Sequence, residues 1–220
     1  MGNLRLPKAV LFDMDGVIFD SERLYIQCCL EAAEPLGLQN VVEVCRRCIG
    51  VTVHVTMSIL LDAYGDPALV EAYRTRSTAL FQEKYRAGLL PMKPGVKELL
   101  ESLKAAHVKT AIASSTRTSV VESELAQYGL IDFFDAVVGG DRVKRSKPNP
   151  DIFLCAAGLL DEPAENCTVI EDSYNGIRAA KAAGMTAVMV PDLLPPEDEM
   201  HRLADAIVPS LLSVPALFLA

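Results

Sequence analysis

Ala9-Val10-Leu11-Phe12-Asp13-Met14-Asp15-Gly16 is a short apolar run that ends abruptly in two carboxylates and a glycine. A run without polar alternation suits a strand buried on both faces of a parallel sheet. The pattern recurs where Thr110–Ala113 precedes Ser114 and where Cys167–Ile170 precedes Glu171. Ala136–Val138 and Ala187–Val190 add two strands, and Ala206–Val208 a weaker sixth.

Helical patterns lie between these runs at Val96–Ala106, Ser119–Tyr128, Asp151–Leu160 and Ile177–Ala183. The alternation predicts an α/β fold, a Rossmann-like parallel sheet with helices on both faces. In such sheets ligands bind beyond the carboxyl ends of the strands. From Asp20 to about Leu90 the rhythm breaks into helices near 21–35, 40–48, 54–64 and 67–86, and Pro91 and Pro94-Gly95 mark the return. The expected organisation is a core domain from 1–19 and 91–220 around an inserted all-helical domain at 20–90. Leu211–Ala220 is expected to form one helix docked on the core.

Half of the 220 residues are apolar, enough for a substantial core, which excludes disordered and fibrous classes. A net charge of -8 disfavours non-specific nucleic-acid binding, which needs clustered Lys and Arg. A small anionic substrate remains compatible, because a local cluster can outweigh the global balance. Met1–Lys8 carries no targeting pattern, and no run reaches the roughly 18 apolar residues of a membrane span. The expectation is a cytoplasmic monomer without membrane or nucleic-acid partners. The six cysteines do not form a disulfide scaffold, and Cys45-Arg46-Arg47-Cys48 lacks the second pair that zinc needs.

Asp13 and Asp15 stand two residues apart at a strand end, where repulsion separates their roles: one suits a nucleophile, the other a general acid and base. Alone, the pair reads equally well as a turn that ends a strand. Glu171-Asp172-Ser173 supplies a second acidic pair at a strand end. With Asp13 and a backbone carbonyl near Asp15, it offers the oxygen-rich shell that suits Mg2+. Asp172 or Ser173 also serves as a helix N-cap. Lys147, before Pro148, is a cation that can hold an aspartate and a phosphoryl oxygen together, although a lone lysine is usually a solvated one. Ser114-Ser115-Thr116 presents hydroxyls and helix-start amides to phosphate oxygens, or simply caps the next helix.

This arrangement resembles the haloacid dehalogenase superfamily of aspartate-nucleophile phosphatases. Val10–Glu22 matches the family's first motif, Ser114 the second, Lys147-Pro148 with Asp151–Phe153 the third, and Glu171-Asp172-Ser173 with Gly176-Ile177 the fourth. The resemblance covers nearly the whole chain, and the helical insert corresponds to the family's cap. It implies that Asp13 becomes an aspartyl-phosphate and that Asp15 is acid and base. It also implies that Ser114 and Lys147 bind phosphate, with Asp13, the Asp15 carbonyl, Glu171 and Asp172 serving Mg2+. Gly16, Ser115, Thr116 and Arg117 are the further candidates for phosphate contact. Because Asp15 is present, the expected substrate is a phosphate ester, a small phosphorylated metabolite such as a sugar phosphate.

Tyr25, Thr52, Val53 and His54 are the candidate substrate residues of the cap. Inside the family the alternative is a hexose-phosphate mutase resembling β-phosphoglucomutase. Tyr25 and Val53 stand where that mutase carries a histidine and an arginine, which favours hydrolysis, while Thr116-Arg117 keeps the mutase's hydroxyl and cation. Ser146 replaces a glycine frequent before the motif lysine. A non-catalytic phospho-acceptor module is the rival from another class, but receivers place their acceptor on a later strand and lack an insert. His54, His107 and His201 are too scattered for a dinuclear metal site and read as surface residues.

Overall fold

The structure, a computed structural model, describes residues 4–49 and 53–218. Among these, six strands form one sheet: β1 (Ala9–Phe12), β2 (Lys109–Ala113), β3 (Ala136–Val138), β4 (Cys167–Glu171), β5 (Thr186–Met189) and β6 (Ala206–Ile207). The helices are α1 (Ser21–Ala33), α2 (Val41–Arg47), α3 (Val53–Tyr64), α4 (Pro67–Arg86), α5 (Val96–Ala105), α6 (Thr118–Gln127), α7 (Asp151–Leu159), α8 (Tyr174–Ala182), α9 (Asp198–Leu203) and α10 (Pro215–Phe218).

All neighbouring strands are parallel, in the order β3-β2-β1-β4-β5-β6. From β1 the sheet grows one way through β2 and β3, and the other way through β4, β5 and β6. The order therefore reverses between β1 and β4, and a crevice opens at their carboxyl ends, which is where such sheets place ligands. Phe12 pairs with Ile112 on one side and Ile170 on the other, so β1 is central and buried throughout.

Both faces are covered, as the unbroken apolar runs require. Ala9 and Leu11 share a core with Ile152 and Phe153 of α7 and with Ile177 and Ala180 of α8. Side-chain alternation sends Val10 and Phe12 to the opposite face, where they are also buried and Phe12 meets Phe134 edge-on at 6.0 Å. On α5 the buried residues Val96, Leu99, Leu100 and Leu103 make a stripe at helical spacing, packed against β2. Burial of each such leucine contributes roughly 2 kcal/mol, so this stripe rather than helix propensity holds α5 in place.

The chain divides into two compact units, Met1–Phe19 with Met92–Ala220, and Asp20–Pro91. Among the described residues the second contains only helices, and the Asp20 N–H donates to the Pro91 carbonyl at 2.8 Å, so it begins and ends at one point. Its own core gathers Cys29, Ala33, Val44, Leu60, Val70 and Tyr73. Asp66 caps α4 by accepting from Ala68 N at 2.8 Å, with Pro67 at the first helical position, a strong local start signal.

One expectation needs correction. The single helix expected over 211–220 is a 3-10 turn, Leu211–Ser213, followed by the short α10, because Pro215 has no N–H to continue a helix and can only open one. Helix α9 is not among the expected elements: its only buried residue is Met200, so no apolar stripe marks it.

Candidate active site

Asp13 is where β1 leaves the sheet. Its N–H still donates to Ile170 O at 3.0 Å, so the ladder with β4 fixes where the side chain emerges. The chain then folds back: Ile18 N and Phe19 N donate to Met14 O at 2.8 and 3.1 Å, and Gly16 N donates to Phe19 O at 2.8 Å. Gly16 adopts a φ of +81°, and a Cβ there would lie 2.3 Å from Asp172 Oδ2. Only glycine meets both demands, so this turn seats directly against the residue that follows β4.

Glu171, the last residue of β4, is fully buried. Its Oε2 accepts from Ser173 N at 2.7 Å, and its Oε1 accepts from Lys147 Nζ at 2.8 Å. The same ammonium donates to Asp13 Oδ1 at 2.5 Å and lies 5.0 Å from the centroid of the Phe153 ring. The Lys147 side chain is only 7% exposed, so it is no solvated surface lysine. Asp13, Glu171 and Asp172 each offer a carboxylate oxygen within 4.8 Å of the others.

One ammonium cannot neutralise two buried carboxylates. Burial pushes the Asp13 carboxyl up to about 7, and Glu171 and Asp15 add to the rise while Lys147 pulls against it. Burial alone would lower Lys147, but the charges of Asp13 and Glu171 more than offset it and hold the ammonium above its ordinary range. Three carboxyl groups share this corner with one ammonium, and the donors are all hard oxygens. That set fits a divalent cation such as Mg2+.

The other wall comes from β2. Ser114 is fully buried, donates its N–H to Val138 O at 3.0 Å, and accepts from Thr116 N at 3.1 Å through Oγ. It thus closes a short turn rather than capping α6, whose N-cap position is Arg117 with no side-chain cap bond. Thr116 Oγ1 donates to Asp15 Oδ2 at 3.3 Å, so the two acidic residues of the first turn face different partners: Asp13 an ammonium, Asp15 a hydroxyl. Gly140 lets this turn pack closely, since a Cβ there would lie 2.4 Å from the Ser115 carbonyl oxygen.

Asp13, Asp15, Gly16, Ser114, Thr116, Lys147, Glu171 and Asp172 therefore come together through these contacts. Ser115 and Arg117 are exposed on the same loop. Ser173 caps α8 by accepting from Gly176 N at 3.0 Å, compatible with a ligand role for its neighbour Asp172. In the helical unit Tyr25 is 40% exposed on α1, its ring edge-on to Phe81 at 5.7 Å, and burial pushes its phenol above the ordinary range. His54 is exposed on α3, as are His107 and His201 elsewhere. Thr52 lies outside the described residues, as does the side chain of Val53.

All six cysteines are free thiols, and Cys45 lies buried with its Sγ 3.7 Å from Tyr73 OH. Among the described residues no cysteine belongs to a group that could hold a metal. Two features escaped the sequence reading. Gly176 is one, where a Cβ would collide with the Glu171 carboxylate; a glycine in the first turn of a helix is the local signal of that close approach. Lys93 and Asp192 form an ion pair at 2.6 Å that nothing local announces, because 99 residues separate them.

Residues 10–190 match the family described as haloacid dehalogenase-like hydrolase. A phosphorylated carbohydrates phosphatase of Thermotoga maritima is 37% identical over 183 residues, spanning 82% of this chain and 83% of that protein. A beta-phosphoglucomutase of Bacillus subtilis is 33% identical over 189 residues, spanning 83% of each. The crystal structure of a HAD family hydrolase from Deinococcus radiodurans R1, with bound phosphate and sodium, superposes with a TM-score of 0.79 at 28% identity. It covers 98% of this chain and 99% of that one.

Proposed function

The chain belongs to the haloacid dehalogenase-like hydrolases, and we propose that it is a magnesium-dependent phosphomonoester hydrolase acting on a small phosphorylated metabolite, a sugar phosphate in the first instance. The observation that carries this reading is the position of Asp13. It lies at the β1/β4 reversal, bonded to Lys147, and its carboxylate oxygen is within 4.8 Å of those of Glu171 and Asp172.

In the proposed reaction a carboxylate oxygen of Asp13 attacks phosphorus and the bond from phosphorus to the ester oxygen breaks. Asp15 gives its proton to that departing oxygen. Asp15, now a carboxylate, then takes a proton from water as the water attacks the aspartyl-phosphate, which releases inorganic phosphate and restores Asp13. Thr116 holds Asp15 through its hydroxyl. In this reading Lys147 and Ser114 bind phosphoryl oxygens, and the bond from Lys147 to the Asp13 carboxylate supports the part given to Lys147. Asp13, Glu171, Asp172 and the Asp15 carbonyl would hold Mg2+, which when bound supplies positive charge against the phosphoryl oxygens.

The Thermotoga maritima relative supports a phosphorylated carbohydrate as substrate. A mutase is the second reading, favoured by the 33% identity to the Bacillus subtilis enzyme. Tyr25 and Val53 weigh against it, since they stand where that mutase resemblance calls for a cap histidine and arginine. Incubating the purified protein with a panel of phosphorylated sugars and other metabolites, with and without Mg2+, separates the readings. The proposal expects Mg2+-dependent release of free phosphate. Isomer formation without phosphate release would establish the mutase, and no turnover of any ester would favour a binding module.

A further inference from the structure

We propose that Asp141 is a positioning residue of the reaction: from the turn after β3 it anchors the start of α6 and so helps hold Thr116 against Asp15; the inference rests on the hydrolase reading given above. Helix α6 opens at Thr118, and its N-cap position, Arg117, offers no side-chain acceptor to the first amides. Asp141 supplies one from 23 residues away. Its Oδ1 accepts from Thr118 N at 2.7 Å and from Thr118 Oγ1 at 2.8 Å. These two donors hold the Asp141 carboxyl below its ordinary range, so it is a charged acceptor at neutral pH. No step of the proposed chemistry uses it.

The contact belongs to a clip that joins the chain leaving β3 to the chain leaving β2. Thr118 Oγ1 also accepts from Gly139 N at 3.1 Å, and Gly140 N donates to Thr116 O at 2.9 Å. The two segments pack so closely that a Cβ on Gly139 would lie 2.2 Å from Thr118 N and 2.6 Å from Thr116 O. Thr116 is thus held through its carbonyl by Gly140 and through its N–H by Ser114 Oγ at 3.1 Å. From that seat its hydroxyl reaches Asp15 Oδ2 at 3.3 Å, longer than the roughly 2.7–2.8 Å common for a hydroxyl donor. A retreat of the turn by about 0.3 Å would break it, since a contact at roughly 3.6 Å is no longer a hydrogen bond. Removing the Asp141 carboxylate takes the acceptor from two donors of Thr118 and loosens the clip beside Thr116. The Gly139 and Gly140 bonds remain, so the consequence is a graded loss rather than an abolished site.

The test is steady-state hydrolysis of p-nitrophenyl phosphate with Mg2+ by the wild type and by Asp141→Ala, Asp141→Asn, Thr116→Val and the Asp141→Ala/Thr116→Val pair, with thermal melting to establish folding at the assay temperature. Nitrophenolate leaves without a proton, so turnover of this probe reports the activation of water by Asp15. Asp141→Ala is expected to lower kcat about fivefold with KM held within about twofold, and Asp141→Asn, which keeps an acceptor oxygen, to stay within about twofold of the wild type. In the Thr116→Val background the Asp141→Ala change is expected to cost less than about twofold, because the bond it protects is already gone. Should Asp141→Ala fail to fold, Thr118→Val removes part of the same contact and is expected to lower kcat about threefold, an effect that also disappears beside Thr116→Val. An unchanged kcat in the Asp141→Ala or Thr118→Val variant, a change confined to KM, or a loss that persists in full beside Thr116→Val overturns the inference alone, because wild-type turnover leaves the hydrolase reading standing. A wild type that releases no phosphate overturns that reading and the inference together.

Discussion

Glu171 occupies the space that a side chain on Gly176 would need: a Cβ there would lie 1.7 Å from Glu171 Oε1. The end of β4 and the first turn of α8 interlock through this contact, with Ser173 N holding the other carboxylate oxygen at 2.7 Å. Gly176→Ala must displace Glu171 or distort α8. It is expected to lower Mg2+-dependent phosphate release at least about tenfold and to cost about 1–3 kcal/mol in urea denaturation. Gly158 of α7 has nothing within 4 Å of the same position, so Gly158→Ala is expected to leave turnover unchanged and to add about 0.5–1 kcal/mol.

Lys147 is the counter-charge to both Asp13 and Glu171. Lys147→Met leaves two buried carboxylates facing each other, which is expected to cost about 3 kcal/mol without added cation. Saturating Mg2+ should recover part of that loss by offering the positive charge the variant lacks. Thermal melts with and without Mg2+ measure both, and phosphate release is expected to fall by about two orders of magnitude. A variant whose melting point is unchanged and indifferent to Mg2+ would place the ammonium outside the shell.

While Lys147 holds Asp13, Thr116 donates its hydroxyl to Asp15. Thr116→Val removes a donor to that carboxylate and is expected to lower kcat about tenfold with little change in KM, while Thr116→Ser keeps most activity. A change confined to KM would make Thr116 a substrate contact instead.

Asp15→Ala should slow both departure of the ester oxygen and breakdown of the aspartyl-phosphate, by roughly two to four orders of magnitude. Single-turnover kinetics resolves the two steps, and a wild-type rate in either one would remove Asp15 from it.

Much of this was legible because strand ends are. Each apolar run that forms β1, β2 or β4 stops at a residue of the proposed site, Asp13, Ser114 or Glu171, so burial and the candidate polar groups meet at one sharp boundary in the sequence. What was not legible depends on distance along the chain. The Lys93–Asp192 pair, the Thr116–Asp15 bond and the seating of Asp172 against Gly16 arise from tertiary approach that local periodicity does not encode. The 211–220 segment failed for another reason: its apolar composition suggested one helix and outweighed the signal of Pro215, which divides it. Short polar helices such as α9 carry no stripe to read.

The central claim is that Asp13 carries the phosphoryl group, and acid-quenched mass spectrometry of the enzyme during turnover of p-nitrophenyl phosphate with Mg2+ tests it most directly. The Asp15→Ala variant, slow to release the group, is expected to accumulate one phosphoryl mass on the peptide containing Asp13, and Asp13→Asn to show neither the adduct nor turnover. A phosphoryl group on any other residue, or phosphate release by Asp13→Asn near the wild-type rate, would contradict the account.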